Sequence, residues 1–462
     1  MSPPFEGGNQ TNHGFIQKKP ETNIISINVG GQLFQTTKQT LALSGSNSIL
    51  SKISSSEVTI PFIDRDPEIF SILLSLLRTG NLPSKAKVFD LQDLIFEAKF
   101  YGIEGLLVNS ESKCSCLNLE KSFLLPLNGR DSVSVISTTP YGSVHVAHGS
   151  KITSFDWSMD RKSTILTEFV GIDSLVAIDS ATAAAGATDF SGMQILDLKN
   201  GAVKERVVWE NQTRSSSTVQ AIGTNGAHLF TSFESGRRNS SSIVVFDINQ
   251  GFKPVAEIGQ HEIYGAEIDT GIPATKLKWV SSFNLLMASG SHGGPSGVTG
   301  NVKLWDLRSS KAYWEFNEKA DCFADVTVCD DLGCIFKVGV NSGEVYFADM
   351  RKLSSEKPWV CIGDERKGFG GKKKEGLGCK IESHGNQVFC SKNGDIELWS
   401  EVVLGTTKEG SGDRLFRRNL MGRMKDMGGS RVTQIGFGGN KMIVSRKDEQ
   451  CVEVWQSSVR GF

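Results

Sequence analysis

The sequence predicts two kinds of fold in one chain, an α+β domain near the N-terminus and a long all-β array after it. Three observations predict this. Residues 23–41 begin with a tight hairpin around a Gly-Gly pair, and two amphipathic helical patterns follow. After residue 110 long helical patterns give way to one short β-run that recurs seven times. Glycine is abundant at 49 residues and proline sparse at 12, a composition suited to many short strands joined by turns. A chain of 462 residues also exceeds what one small core organises, so two or more domains are expected.

Residues 1–22 read as a disordered tail and lack the charged-then-apolar pattern of a secretion signal. Ile25, Ile27 and Val29 then alternate with Ser26 and Asn28, which gives the first strand one apolar face. Gly30 and Gly31 supply the positive φ angles of a two-residue turn, and Leu33 to Thr36 return as the second strand. Thr37 is placed to cap a short helix running toward Leu43. Asp66 is a good N-cap, and Pro67 suits the first helical position, where a missing N–H costs nothing. Phe70, Leu73, Leu74 and Leu77 form one stripe at helical spacing, and Gly80 marks the stop. A second helix is expected from an Asp90 cap, with the stripe Leu91, Leu94, Ile95 and Ala98, ending before Gly102.

Three motifs occur in order over residues 23–108: INVGG-x-x-F-x-T-T-x-x-T-L, IDRDPEIF-x-x-x-L-x-x-L-R-T-G and EAKFYGI. Together they resemble the BTB/POZ domain of the potassium-channel-tetramerisation type. The resemblance implies an assembly domain that forms a homo-oligomer of four or five copies or docks on a cullin-3-type scaffold. Its assembly signature falls on Gly30, Gly31, Phe34, Thr36, Thr37, Asp64, Arg65, Asp66, Phe70 and Arg78. Asp66 reads as a helix cap. Asp64 and Arg78 fit either polar contacts between copies or turn-capping and solvated roles. The cullin-facing surface is expected at Ser48, Ile49, Leu50, Leu82 and Tyr101. Channel-type members hold zinc with one His and three Cys. Here Cys114 and Cys116 have no such His, so a linker over 109–121 is expected, with no metal and no cofactor.

The seven recurring segments are ITSFDW, MQILDLK, IVVFDIN, VKLWDLR, VYFADMR, IELWSEV and VEVWQSS, with reference positions Asp156, Asp197, Asp247, Asp306, Asp349, Ser400 and Gln456. Their spacing starts near the ~40–45 residues of a four-stranded blade and lengthens where loops are inserted. Strand-like runs precede several of them, such as Leu285 to Ser291 and Gln387 to Asn393. The series resembles a divergent WD-repeat array, although Trp305-Asp306 is the only full Trp-Asp pair in place. It implies a seven-bladed β-propeller over 122–462. In WD repeats that pair closes the third strand of a blade, and too few residues follow the last segment for a fourth strand. Closing the ring avoids an open edge, so Ser122 to Leu127 is expected to pair with Val452 to Gln456. Trp305, Trp399 and Trp455 read as core aromatics between blades.

The remaining patterns exclude more than they suggest. Charge nearly balances at 50 basic and 51 acidic residues, so nothing draws the whole chain to nucleic acid or anionic lipid. No run approaches the ~18 apolar residues that span a bilayer. Nine scattered cysteines fit reduced thiols in the cytoplasm or nucleus. Gly368 to Gly376 has lysines but no Walker spacing, so it reads as a basic loop, and Lys372 to Lys374 as solvated charge. The histidines form no H-x-x-x-H pair and there is no G-x-S-x-G elbow, so no enzyme is expected. The resemblances instead imply a substrate-recognition adaptor of a cullin-3-type RING ubiquitin ligase, its propeller binding an unidentified target protein. The alternative is a self-associating signalling or structural scaffold that binds no cullin.

Overall fold

The computed structural model describes residues 24–45, 48–54, 60–80, 82–89, 91–107, 119–160, 162–211, 215–236, 240–262, 272–294, 297–318, 321–354, 356–363, 375–392, 394–402, 414–421 and 430–457. The 1–22 tail, the Asp90 cap, Cys114, Cys116 and Lys372 to Lys374 lie outside those residues. The chain divides into two compact units, Met1–Ser110 and Glu111–Phe462.

In the first unit β1 (Ile24–Val29) and β2 (Gln32–Thr37) form the hairpin. Gly30 and Gly31 have φ of 55° and 91°, values that suit a type I′ turn and that side chains with a Cβ resist. β3 (Phe62–Ile63) runs parallel to β1, giving the sheet order β2-β1-β3. Among the described residues the helices α1 (Lys38–Ala42), α2 (Ile49–Ser54), α3 (Pro67–Thr79) and α4 (Leu91–Tyr101) follow, with a further helical stretch over 104–107. The Thr37 hydroxyl accepts from the Thr40 N–H at 3.1 Å and starts α1. The Asp66 carboxylate accepts from the N–H groups of Glu68 at 2.7 Å and Ile69 at 3.2 Å and starts α3. Gly80, with φ of 73°, ends it. The buried face of α3 is wider than the four-residue stripe, because Ile69, Ile72 and Leu76 are covered too. α1, α4 and the 3-10 turn Ser84–Val88 all pack on this helix, so it occupies the middle of the unit.

The second unit contains seven four-stranded antiparallel sheets. The innermost strands are Val133–Thr138, Ser174–Ala177, Ser217–Thr224, Lys276–Val280, Phe323–Cys329, Ile381–His384 and Val432–Gly438. Each lies against the next, and the last lies against the first, so the array is a closed ring of seven blades. All seven recurring segments form the third strands of their blades. Apolar clusters fill the spaces between neighbouring blades. Trp305, Trp399 and Trp455 each lie in one of them.

The seventh blade is made from both ends of the unit. β4 (Leu119–Pro126) pairs antiparallel with Cys451–Ser457, with Leu125 opposite Val452 and Lys121 opposite Trp455. The strand begins earlier than the 122–127 segment expected from sequence and takes in residues 119–121 of the expected linker. The reason is local: Leu119 has a buried apolar partner set in Phe389, Ile396 and Trp455, and this extends the pairing. Pro126 is the last residue of β4, where its missing N–H removes no interior ladder bond. A side-chain clasp reinforces the ladder. The Glu453 carboxylate, 2 % exposed, accepts from Lys121 Nζ at 2.7 Å, Arg446 Nε at 2.9 Å and Trp455 Nε1 at 3.0 Å. Burial pushes that carboxyl up, but the hydrogen bonds and charges of Arg446 and Lys121 outweigh it and hold the group below its usual range.

Leu125 is buried between the seventh and first blades, whereas its neighbour Leu124 is 50 % exposed. Leu125→Asp is expected to lower the stability of the second unit by about 3 kcal/mol, as an unpaired carboxylate enters an apolar interface. Leu124→Asp is expected to change it by less than about 0.5 kcal/mol. Urea unfolding of the full chain measures both, and equal effects would rule out this placement of β4.

Candidate functional site

In the first unit the signature residues fall into two groups. Gly30, Gly31, Phe34, Thr36, Thr37, Asp66 and Phe70 build the fold. A Cβ on Gly30 would lie 2.5 Å from the Arg65 carbonyl oxygen, so the bare hairpin turn lets the 65–67 segment pass close by. Phe34, Phe70 and Tyr101 form an aromatic row, with centroids 5.0 and 5.1 Å apart. Arg65, Arg78 and Asp64 reach the surface. Arg65 donates to Glu97 at 3.2 Å and lies 4.1 Å from the Phe100 ring centroid. Arg78, at the end of α3, donates to the Gln35 carbonyl on the edge strand β2 at 2.6 Å. The Asp64 side chain is exposed. Around these polar groups Ile24, Leu33 and Phe62 leave much of their apolar surface open, each more than half exposed.

The five residues expected to face a cullin do not lie on one surface. Leu50 and Tyr101 are fully buried, and Ser48 is buried with its hydroxyl accepting from the Ser51 N–H at 3.0 Å, where it starts α2. Tyr101 lies on the same inward face of α4 as Leu94 and Ala98, and burial together with Glu97 pushes its phenol far above the usual range. Those three side chains are therefore interior. Ile49 and Leu82 are half-buried, and the exposed apolar groups on these elements are Leu43, Val88 and Phe96. Sequence periodicity marked α4's apolar stripe, but it gave no reason to single out Phe96 beside Ile95.

The ring's central mouth carries a cluster that sequence reasoning missed. Lys276 and Lys278 come from the fourth blade, Asp325 and Thr327 from the fifth, and Glu382 and Ser383 from the sixth. Lys276 Nζ lies 3.1 Å from Asp325 and 3.3 Å from Glu382. Lys278 donates to Glu382, and to Thr327 and Ser383 at 2.9 and 3.0 Å. Asp325 also accepts from the Ile381 N–H at 3.0 Å. Lys276, Asp325 and Glu382 border a cavity of about 430 Å³ that all seven innermost strands line. Burial pushes the Glu382 carboxyl up, but Lys278 and Lys276 outweigh it and bring it down to about 2. Burial works against the Lys276 ammonium, yet Asp325 and Glu382 raise it. A general base works best near the operating pH, and these two groups are held far from neutrality. The arrangement therefore suits an internal tie across three blades.

Among the described residues no group of three or more His, Cys, Asp or Glu side chains is placed to hold a metal ion, and no helix is long and apolar enough to cross a membrane. Burial pushes the thiols of Cys322 and Cys329 up to about 11 and that of Cys334 up to about 12, which leaves them as inert packing groups.

Comparison with known proteins agrees with this two-part architecture. Residues 25–111 match the BTB/POZ domain family, and residues 128–457 match the family described as At2g24240-like, C-terminal beta propeller. The chain is 55 % identical over 452 residues to the BTB/POZ domain-containing protein At5g41330 of Arabidopsis thaliana, covering 96 % of this chain and 98 % of the relative. Over 103 residues it is 35 % identical to the BTB/POZ domain-containing adapter for CUL3-mediated RhoA degradation protein 1 of Danio rerio, covering 20 % of this chain and 31 % of that protein. A chain from the crystal structure of a mitotic checkpoint complex has a TM-score of 0.50 at 12 % identity, covering 73 % of this chain and 92 % of that one, a likeness of fold alone.

The lowered Glu382 carboxyl stabilises the ring above about pH 4.5, its ordinary value, and that contribution is lost as pH falls toward 2. Glu382→Gln is expected to cost about 1–3 kcal/mol at neutral pH, since it leaves two ammonium groups short of a partner in a partly solvated site. It is also expected to flatten the acid limb of a plot of unfolding temperature against pH. An acid limb as steep as that of the wild type would contradict the assignment.

Proposed function

We infer that this chain, which belongs to the family of BTB/POZ proteins with an At2g24240-like C-terminal β-propeller, is the substrate-recognition adaptor of a cullin-3-type RING ubiquitin ligase. Its architecture is that of a protein-interaction adaptor. The observation that carries the finer reading is the division of labour between the units. The first has exposed apolar side chains on its helices and has Ile49 and Leu82 part-covered, which fits docking on a large scaffold. The second is a rigid closed ring whose mouth charges are satisfied internally, a platform for holding a target protein. The Danio rerio relative, whose name assigns it to CUL3-mediated degradation, supports this reading for the N-terminal unit. Ubiquitin transfer would belong to other subunits. The target is unidentified, and the working compartment is the cytoplasm or nucleus.

A second reading is a self-associating scaffold. The open apolar groups Ile24, Leu33 and Phe62 on the sheet, beside Arg78 and Asp64, favour contact with further copies of the chain. The two readings are compatible if the oligomer also binds cullin.

Mixing the full chain with the N-terminal region of cullin-3 should give a co-eluting complex in size-exclusion chromatography. Ile49→Asp combined with Leu82→Asp should weaken it tenfold or more, the effect of losing an interface anchor. A well-formed oligomer with no measurable cullin affinity would leave the scaffold reading standing alone. Affinity capture with the Leu125→Asp variant, whose seventh blade is destabilised, should lose the target and keep the cullin. A chain whose captured proteins are indifferent to this loss of propeller stability would not be using the propeller for recognition.

A further inference from the structure

Each blade of the second unit ends in an outer strand whose far edge pairs with no other strand among the described residues. Such an edge presents a row of free N–H and C=O groups, and proteins commonly blunt it with a bulge, a proline or a short strand. Most of the blades carry one of these devices. The ladder to the outer strand is broken by a bulge in the second, third, fourth and seventh blades. Pro254 and Pro126 also lie in the outer strands of the third and seventh. The outer strands of the first and fifth blades are shorter, with five and two residues. The sixth blade differs from all of these. Its outer strand, Leu415–Met421, runs for seven residues without a proline, and each pairs in unbroken register with residues 396–402.

What this edge carries is positive charge. Arg417 and Arg418 lie at its middle, one on each face of the strand, and the strand has no acidic residue. Arg417 is exposed and has no partner among the described residues. Arg418, with a side chain 47 % exposed, lies 3.7 Å from Glu397, beyond hydrogen-bond reach. The other carboxylate on the neighbouring strand, Glu401, already accepts from Arg414 at 2.6 and 3.1 Å. Leu415 and Leu420, 49 % and 38 % exposed, flank the arginine pair. Two copies of this strand set edge to edge in antiparallel register bring arginine against arginine, and like charges in a cross-strand pair are destabilising. The edge is therefore closed to a second copy of itself and open to a strand of opposite charge.

We propose that the outer edge of the sixth blade docks an extended acidic segment of the target protein, which adds a fifth strand through its main chain and sets two adjacent Asp or Glu side chains against Arg417 and Arg418. In such strand addition main-chain hydrogen bonds supply affinity and alternate side chains supply specificity. Leu415 and Leu420 call for an apolar residue at either end, so the preferred sequence is apolar-x-acidic-acidic-x-apolar. That pattern reads the same in both directions, so parallel and antiparallel strands need the same residues. The proposal rests on the reading of the propeller as the target-binding part and adds where it grips and what. The test titrates a fluorescent synthetic peptide of this pattern with the full chain. Arg417→Glu, at an exposed position with no described partner, should weaken binding about tenfold. A peptide with lysines in place of the two acids should bind that variant better than the wild type, which guards against a folding defect. N-methylation separates strand addition from plain charge attraction. Methyl groups on one alternating set of peptide amides should abolish binding, and on the other set should spare it, because only one set faces the edge. No binding to the wild-type chain, equal binding to Arg417→Glu, or equal loss from both methylated sets overturns this edge as the docking site. Each of those results leaves the propeller's part in target capture to stand or fall on the Leu125→Asp measurement.

Discussion

The second unit depends on one contact, the pairing of β4 with the chain's last strand. Without it the seventh blade has three strands and an unpaired outer edge, and such an edge is a template for pairing with another chain. The innermost strands carry the ring round, but β4 covers the edge of the blade where the chain meets itself. The closure is long-range, since the Lys121–Glu453 bond spans 332 residues. Loop-closure entropy grows only slowly with length, by about 0.6 kcal/mol per doubling, so the closed ring tolerates this separation at equilibrium. Its cost is mainly kinetic, because contacts of high sequence separation form late.

Once closed, the ring spends its polar groups on itself. Glu453 ties β4 to Arg446 and Trp455 at the rim, and the lysine–carboxylate cluster ties three blades at the mouth. Both sites sit where a buried charge would be costly alone and is tolerable when paired and hydrogen-bonded. This explains how the acids and bases gathered at the centre of the unit serve as structural ties between blades.

The first unit follows a similar economy at smaller scale. Its glycine turn, aspartate cap and aromatic row are internal, and what it offers outward is a set of exposed apolar side chains with a few charges among them. Small domains bury a limited share of their surface alone, which is consistent with a unit that works by joining other surfaces.

Much of this was legible in residue order, because it depends on local chemistry. Gly30-Gly31 demanded a turn, Asp66-Pro67 a helix start, and seven β-runs of like pattern a repeated blade. The need to cover the last edge even pointed to a donor strand just before the first blade. What residue order could not determine was orientation and long-range company. Leu50 and Tyr101 belong to apolar patterns that say nothing about which way a short helix or a helix end will turn, and packing sent both inward. Lys276, Asp325 and Glu382 are far apart in the chain and form no motif, and only the strand register of three adjacent blades brings them together. Periodicity and capping act over a few residues and can be read directly. The meeting of side chains from separate strands depends on how whole sheets twist and stack, and this the tertiary structure alone decides.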